Sequence, residues 1–402
     1  MTVLLDLTSL DTPARNRGHG RYVRELVLGI AELPAAERSG LEFLALTHLG
    51  LGGAFRVTDD ITSYQGDPAI PSPGAKDHYN WAYARRLGLF RAVRSIGARA
   101  VHLGDPNATP LFMGLTRCKK IVTCHDAIPA RYPSTYFGIR DGGPRLGLAI
   151  ERRRYQSADL VVAISDATQR DARTMLGVRD EKMVRIYNGV DTDRWSREPS
   201  RGAGAVLAKH GLTGRPFALY VGAPDWHKNV PGMLAGVAAA KAHVPNVLLA
   251  WAGKLRPEQT SAIDAMVERL GIASSVKRLG FVDDDELAVL YRQARAHMLV
   301  SWCEGFGLTV VEAMASGCPV LTTTGGSLEE VAGDAALKVD PADHAEMGHA
   351  LVRLFRDEDL RRRLAAEGRA RAPRFSRAVQ ARAMVRVYRR LLESVHESRA
   401  LI

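Results

Sequence analysis

Cysteine is scarce in this 402-residue chain: Cys118, Cys124, Cys303 and Cys318 are the only four. Four so widely spread cannot staple a disulfide scaffold, and their spacing fits neither CxxC nor a paired zinc site. A reducing, cytoplasmic setting is the expectation. Long apolar runs are also missing. No stretch approaches the roughly 18 consecutive apolar residues of a membrane-spanning helix. The opening MTVLLDLTSLDT has no basic region and too short an apolar run for a signal peptide. Familiar fingerprints are absent too. Gly18-His19-Gly20 lacks the third glycine of GxGxxG, which disfavours a nicotinamide dehydrogenase. No Walker A sequence and no GxSxG occur, against P-loop NTPases and α/β-hydrolases. No internal repeat or low-complexity segment is evident.

The composition that remains is ordinary for a globular protein, 46% hydrophobic and 25% charged, and the length suggests two domains. Against 44 acidic residues stand 55 basic ones, a net charge of +11. That balance favours anionic partners such as nucleotides, phospholipid headgroups or nucleic acid. From Leu351 onward there are 14 arginines, no lysine and 6 acidic residues, a net +8. Arg152, Arg153 and Arg154 form a second basic knot, and Arg85, Arg86, Arg91 and Arg94 a third. These runs read either as solvated helix faces or as a surface for anionic lipid or a phosphate-bearing acceptor. Nucleic acid is disfavoured, because the runs lack interleaved aromatics and no recognised binding motif appears.

Short apolar runs alternate with longer helical patterns. Val3 to Leu7, Leu41 to Leu46, Ala100 to Leu103, Ile121 to Cys124 and Leu160 to Ile164 read as buried parallel strands. Phe217 to Val221, Val247 to Ala252, Val276 to Leu279, His297 to Val300 and Val320 to Thr323 form a second series. Helical stretches such as Arg21 to Ala31 and Leu287 to Arg295 lie between them. This order means βαβ units, and two series mean two doubly wound α/β domains. The break is placed after IYNGVDTDRW, in the polar stretch around Ser196 to Gly204.

Ligands of such sheets bind beyond the carboxyl ends of the strands. Residues 297–324, HMLVSWCEGFGLTVVEAMASGCPVLTTT, are the most informative segment of that kind. A strand ending near Ser301 leads into a loop with Glu304, Gly305, Phe306 and Gly307. A helix is expected from Leu308 to Ser316, with Gly317 as its left-handed cap. Glycines before a helix let backbone N–H groups approach an anion, which the helix dipole favours. Glu304 stands on the lip of that site and Glu312 one turn into the helix. Taken singly, the two carboxylates could equally be a surface acid and a helix-face acid. His125 could be a core histidine and Lys228 a solvated lysine. Asp283-Asp284-Asp285 reads as a helix N-cap run, and Asp191-Thr192-Asp193 sits in the linker motif, not in a metal site.

EGFGLTVVEAMASGCPV resembles the E-x7-E segment of retaining glycosyltransferases of family 4, which have the GT-B fold. Five more motifs agree, in order: NRGHGRYVREL resembles the glycine-rich first loop and helix, CHDAIP the His-Asp loop, IYNGVD the strand into the linker. YVGAPDWHKN resembles the first strand and lysine loop of the donor domain, and GFVDDDELAVLY its base-binding loop. The resemblance covers nearly the whole chain. It implies two Rossmann-like domains facing across a cleft. Residues 1–198 would bind the acceptor and 199–375 the nucleotide sugar, with a last helix, about 376–402, packing back onto the first domain.

The resemblance also assigns roles. His125, Glu304 and Lys228 would be the catalytic set: Lys228 on the diphosphate, Glu304 on a 3- or 4-hydroxyl of the sugar, His125 near its 6-hydroxyl or the reacting centre. Glu312 would hold the ribose. Gly222, Phe281, Gly305, Phe306, Gly307 and Leu308 would line the donor site. Asn16, Arg17, Gly18, Gly20, Arg21 and Asp105 would face the acceptor. No metal and no other cofactor is implied. The partners would be a nucleotide-diphosphate sugar, with GDP-mannose preferred over UDP-sugars and deoxysugar nucleotides, and a saccharide acceptor. That acceptor would be lipid-linked or a small metabolite, with peripheral contact to an anionic membrane. A nucleotide-sugar epimerase and a non-catalytic binding protein are the rival readings. One departure stands out: family members commonly carry an arginine where this chain has Ala223.

Overall fold

The computed structural model describes residues 1–11, 18–46, 54–57, 89–105, 118–138 and 142–400. It divides into two compact units, Met1–Val190 with Phe375–Ile402, and Asp191–Arg374. The first unit is built on β1 (Thr2–Asp6), β2 (Glu42–Leu46), β3 (Ala54–Arg56), β4 (Ala100–Leu103), β5 (Lys119–Cys124), β6 (Leu160–Ala163) and β7 (Met183–Arg185). Their order is β3-β2-β1-β4-β5-β6-β7, parallel except for β3, which runs antiparallel to β2. The second unit is built on β8 (Ala218–Val221), β9 (Leu249–Ala252), β10 (Val276–Gly280), β11 (Ala296–Leu299), β12 (Val320–Thr323) and β13 (Ala336–Val339). Their order is β10-β9-β8-β11-β12-β13, all parallel. Within each sheet the chain winds outward on one side and then returns to wind outward on the other. The direction reverses between β1 and β4, and again between β8 and β11.

All ten strands expected from apolar runs are present, with ends moved by no more than two residues. The three without a signal in the sequence, β3, β7 and β13, all lie at sheet edges. Central parallel strands are covered on both faces and read as continuous apolar runs: Val101, Val122, Val161 and Val162 are fully buried. An edge strand is shorter and half solvated. Met183-Val184-Arg185 and Ala336-Leu337-Lys338-Val339 therefore carry polar residues that break the pattern.

The Asp284–Gln293 helix starts three residues before Leu287, the expected start, because Asp283 caps it. Its carboxylate accepts from the Asp285 and Glu286 backbone N–H groups at 3.1 and 3.0 Å. Asp191 does the same for Thr192–Ser196, accepting from Arg194 at 2.9 Å. The units divide at Asp191, ahead of the polar stretch expected to separate them. That stretch is fastened to the second unit. Arg201 and Lys209 reach the buried Glu286 at 2.7 and 2.6 Å, and Arg194 reaches Asp285 at 2.8 Å. The chain rejoins the first unit where Val190 pairs with Ser376 as an isolated parallel bridge.

The closing helix, Arg377–Ala400, lies along Gly18–Glu32. Arg377 pairs with Glu32 at 2.6 Å and Arg382 with Glu37 at 2.8 Å. Its Tyr388 hydroxyl reaches into the sheet and meets His102 Nδ1 at 2.5 Å. His102 Nε2 contacts the Thr123 hydroxyl at 2.8 Å, and that hydroxyl contacts Tyr22 at 2.9 Å. A buried polar chain of this kind is tolerated because each member has a partner.

Burial pushes the His102 imidazole down to about 3. It pushes His297, in β11, down to about 4, with the Leu219 carbonyl opposing and Lys228 assisting. Both are neutral in the folded state down to those values. The unfolded chain takes up their protons below pH 6.5, so stability falls as pH drops through that value. Each histidine contributes a slope of up to about 1.4 kcal/mol per pH unit. Thermal unfolding between pH 7.5 and 5 should show the midpoint falling below about pH 6.5. A His297→Gln variant should show a shallower fall.

Candidate functional site

The strand order of the second sheet reverses between β8 and β11, and open α/β sheets take their ligands at the carboxyl ends at such a reversal. Residues 222–229 leave β8 there, and residues 300–307 leave β11. The first loop ends in a short turn, Trp226–Lys228, followed by Asn229 at φ 51°. Asparagine tolerates this left-handed backbone better than most residues. Its side chain fixes the turn in two directions. Oδ1 accepts from the Gly232 N–H at 3.3 Å and caps the Val230–Lys241 helix. Nδ2 donates to the Val300 and Pro341 carbonyls at 3.1 and 2.8 Å. A backbone bond from Trp302 N–H to the His227 carbonyl, 2.8 Å, joins the two loops.

Lys228 is thereby set on Glu304. Its ammonium lies 2.5 Å from Oε1, with the two side chains 21% and 10% exposed. Ser301 donates to the same oxygen at 2.8 Å, and Ser327 donates to the Glu304 backbone carbonyl at 2.7 Å. Burial alone would raise the Glu304 carboxyl. The Lys228 charge, then His227 and the Lys228 and Ser301 hydrogen bonds, outweigh it and hold the group below its ordinary value. Glu304 is therefore an anion at neutral pH.

Three residues on, Gly307 has φ 102° and a Cβ there would lie 2.6 Å from Leu328 Cδ2, so glycine is required. It opens the Leu308–Ala315 helix, which has no side-chain cap and no acidic residue in its first turn. The first N–H groups are thus turned toward the loop. Phe306 is buried and offers the loop only its backbone. Glu312 is 2% exposed, with Oε2 accepting from the Tyr291 hydroxyl at 3.2 Å. Gly222 follows β8 and Phe281 follows β10. The Phe281 ring is 61% exposed and lies 5.2 Å from the Lys254 ammonium. Among the described residues no three His, Cys, Asp or Glu side chains gather into a metal-ligand set.

The first unit presents its own group of candidate residues. His125 follows β5 and is 6% exposed. Its Nε2 lies 2.6 Å from the Gly104 carbonyl. A carbonyl can only accept, so Nε2 carries the proton. His19 and Tyr22 pack on the ring, with centroids at 4.3 and 4.9 Å. Burial, and next His19, push the imidazole well below its ordinary value, against the Gly104 carbonyl and Asp105. His125 is therefore neutral at pH 7. Asp105 is buried beyond β4, and Gly18, Gly20 and Arg21 form the first turn of Gly18–Glu32. Asn16 and Arg17 lie outside the described residues.

Ser301, Ser327 and the tethering role of Asn229 stand out little in the sequence. Only the Lys-Asn pair and the Gly-Gly-Ser run at a helix start hint at two of them.

Residues 17–194 match the profile described as Glycosyltransferase Family 4, and residues 206–371 the profile described as Glycosyl transferases group 1. The chain is 30% identical over 224 residues to O-antigen chain mannosyltransferase B of Escherichia coli, covering 55% of this chain and 58% of that one. It is 30% identical over 226 residues to an MMP alpha-(1->4)-mannosyltransferase of Mycolicibacterium hassiacum, covering 56% and 52%. The matched stretch thus spans little more than half of each relative. Among solved structures, a sucrose-phosphate synthase from Thermosynechococcus elongatus superposes with a TM-score of 0.76 at 21% identity, covering 98% of this chain and all of that one. With two doubly wound units and both profiles matched in order, this chain has the GT-B fold and belongs to glycosyltransferase family 4.

Proposed function

We propose that the protein transfers a hexose from a nucleotide-diphosphate sugar to a saccharide acceptor. The observation that carries this reading is the Lys228–Glu304 pair beside an uncapped helix N-terminus, at the point where the second sheet reverses. A cation and free N–H groups suit a diphosphate, and a fixed carboxylate suits sugar hydroxyls. In this reading the second unit, 199–375 by sequence, holds the donor, and the first holds the acceptor near His125, Asp105 and Gly18 to Arg21.

Lys228 shifts from Glu304 to the diphosphate as the donor enters, joined by the Gly307 and Leu308 backbone. Glu304, still held by Ser301, accepts from a hydroxyl of the sugar. Glu312 turns its carboxylate to the ribose, and Phe281 stacks on the base. The bond from C1 to the phosphate oxygen breaks and a bond from C1 to the acceptor oxygen forms on the same face. The acceptor proton passes to the departing phosphate, so configuration is retained. The protein's part is to stabilise charge and to orient the sugar. Neutral His125, with Nε2–H committed to Gly104, offers Nδ1 as an acceptor near the sugar. The names of the two mannosyltransferase relatives support GDP-mannose as the donor and, through O-antigen assembly, a lipid-linked saccharide as the acceptor. Screening a panel of GDP- and UDP-sugars with and without acceptors tests this choice. Interconversion without an acceptor would mark an epimerase, and binding without turnover a non-catalytic protein.

Glu304→Gln should lower transfer roughly 10²-fold while nucleoside diphosphate still binds, because the lost contact is to the sugar. Steady-state rates beside calorimetric binding check the split.

Ala223 leaves Lys228 without the companion arginine common in the family, so Lys228 should carry an unusual share of the leaving-group charge. Lys228→Ala should cut kcat/KM by about 10²–10³. An enzyme within about threefold of wild type would place the clamp elsewhere.

Lys228 and the helix N-terminus supply the positive charge in this scheme. Activity should therefore survive EDTA, measured in metal-free buffer with and without added Mg²⁺ or Mn²⁺.

A further inference from the structure

Most arginines after Leu351 are engaged with their own unit. Arg356 donates to the His243 carbonyl and Arg371 to those of Val331 and Glu330, while Arg377 and Arg382 pair with Glu32 and Glu37. A different set gathers around a cavity of about 760 Å³ in the second unit. Its walls carry Arg215, Arg292, Arg295, Arg361, Arg362 and Arg369, against the single carboxylate of Glu358. Phe217, Arg295 and Pro319, which directly precede β8, β11 and β12, also line it. The cavity therefore lies at the amino ends of the strands whose carboxyl ends carry Lys228 and Glu304. A four-residue strand separates the two edges by about 13 Å.

Arginines near helix ends often cap carbonyls. Three of these do so: Arg361 donates to the Leu354 carbonyl at 2.9 Å, Arg292 to that of Ser196 at 2.6 Å and Arg215 to that of Ser274 at 3.4 Å. Arg362 pairs with Asp359, Arg361 also with Glu358, and Arg292 also with Glu198. Arg292 Nε is nonetheless buried with no hydrogen-bond partner among the described residues. Arg295 and Arg369 meet neither a carbonyl nor a carboxylate through their side chains, again among the described residues. Arg369 brings Nη1 up to Gly317, where a Cβ would come 1.6 Å from it, so the left-handed glycine also clears the space for the guanidinium. Burial, then the nearby charge of Arg295, lowers the Arg361 guanidinium. Arg295, Arg369 and the Nε of Arg292 are the groups on these walls that an anion can partner.

We propose that this cavity binds a phosphate-bearing anion, at a site separate from that of the sugar donor. Guanidinium forks match phosphate oxygens in pairs, and the volume falls in the range of small-ligand pockets, roughly 300–1,000 Å³. The phosphate can belong to a soluble ester or to a phospholipid headgroup, and the two sources are separable.

The test uses the full chain carrying Lys228→Ala, which weakens the other phosphate site. Inorganic pyrophosphate is titrated calorimetrically at constant ionic strength. Vesicles of phosphatidic acid in phosphatidylcholine are sedimented in parallel against phosphatidylcholine alone. Adding Arg295→Gln and Arg369→Gln together should weaken whichever probe binds by about tenfold or more, as the loss of charge-assisted bonds requires. Pyrophosphate binding identifies a soluble ligand, and vesicle binding without it identifies a headgroup. If the double variant melts early, Arg215→Gln with Arg362→Gln, both at exposed positions, gives a second pair. The proposal is overturned if neither probe binds the parent above its control, or if binding is unchanged when the arginines are removed.

Discussion

Lys228 and Glu304 lie 76 residues apart in the chain and 2.5 Å apart in the fold. A half-buried ion pair is retained only if its geometry is fixed and its remaining hydrogen bonds are met. Much of the surrounding sequence serves that requirement. Asn229 ties the lysine turn to the end of β11, Ser301 shares the carboxylate, and Ser327 holds the backbone behind it. Under the proposed function, the pair also explains how the unliganded site tolerates a cation meant for a diphosphate: Glu304 would be its counter-ion until a donor arrives, and Ser301 would keep the carboxylate in place when the lysine changes partner.

The first unit treats its polar groups differently. His125 and His102 are buried and neutral, each held in one orientation by neighbours: Gly104 for the first, Tyr388 and Thr123 for the second. Both rings are uncharged while their hydrogen-bonding direction is preserved. A group that positions hydroxyls needs that property, and a group that balances phosphate charge does not. The contrast between the charged Lys228–Glu304 pair and the neutral His125 fits the proposed placing of the donor in the second unit and the acceptor hydroxyl in the first.

The central strands were legible because burial on both faces forces unbroken apolar runs. The edges β7 and β13 were not, since part of each faces solvent, and β3 is only three residues long. Glycine before a helix, at Gly307, announced the turn that opens Leu308–Ala315 in a local pattern. Asp283 announced a cap in the same way. The pairing of Lys228 with Glu304 was not visible, because it depends on which strands become neighbours at the reversal. Ser301 and Ser327 were hidden for the same reason. Charge was legible as a total but not as an arrangement. The arginines after Leu351 looked like one basic tail. The fold sends Arg377 and Arg382 to the first unit and puts Arg369 on the wall of the same cavity as Arg295, an arginine from a distant segment.

The central claim is that Lys228 and Glu304 act together on one donor. A double-mutant cycle on kcat/KM with Glu304→Gln, Lys228→Ala and the double variant tests it most directly. Residues sharing a ligand and a hydrogen bond should be coupled, with the double variant losing less than the sum of the singles by about 1 kcal/mol or more. Strict additivity, within about 0.3 kcal/mol, would show two independent side chains and contradict the account.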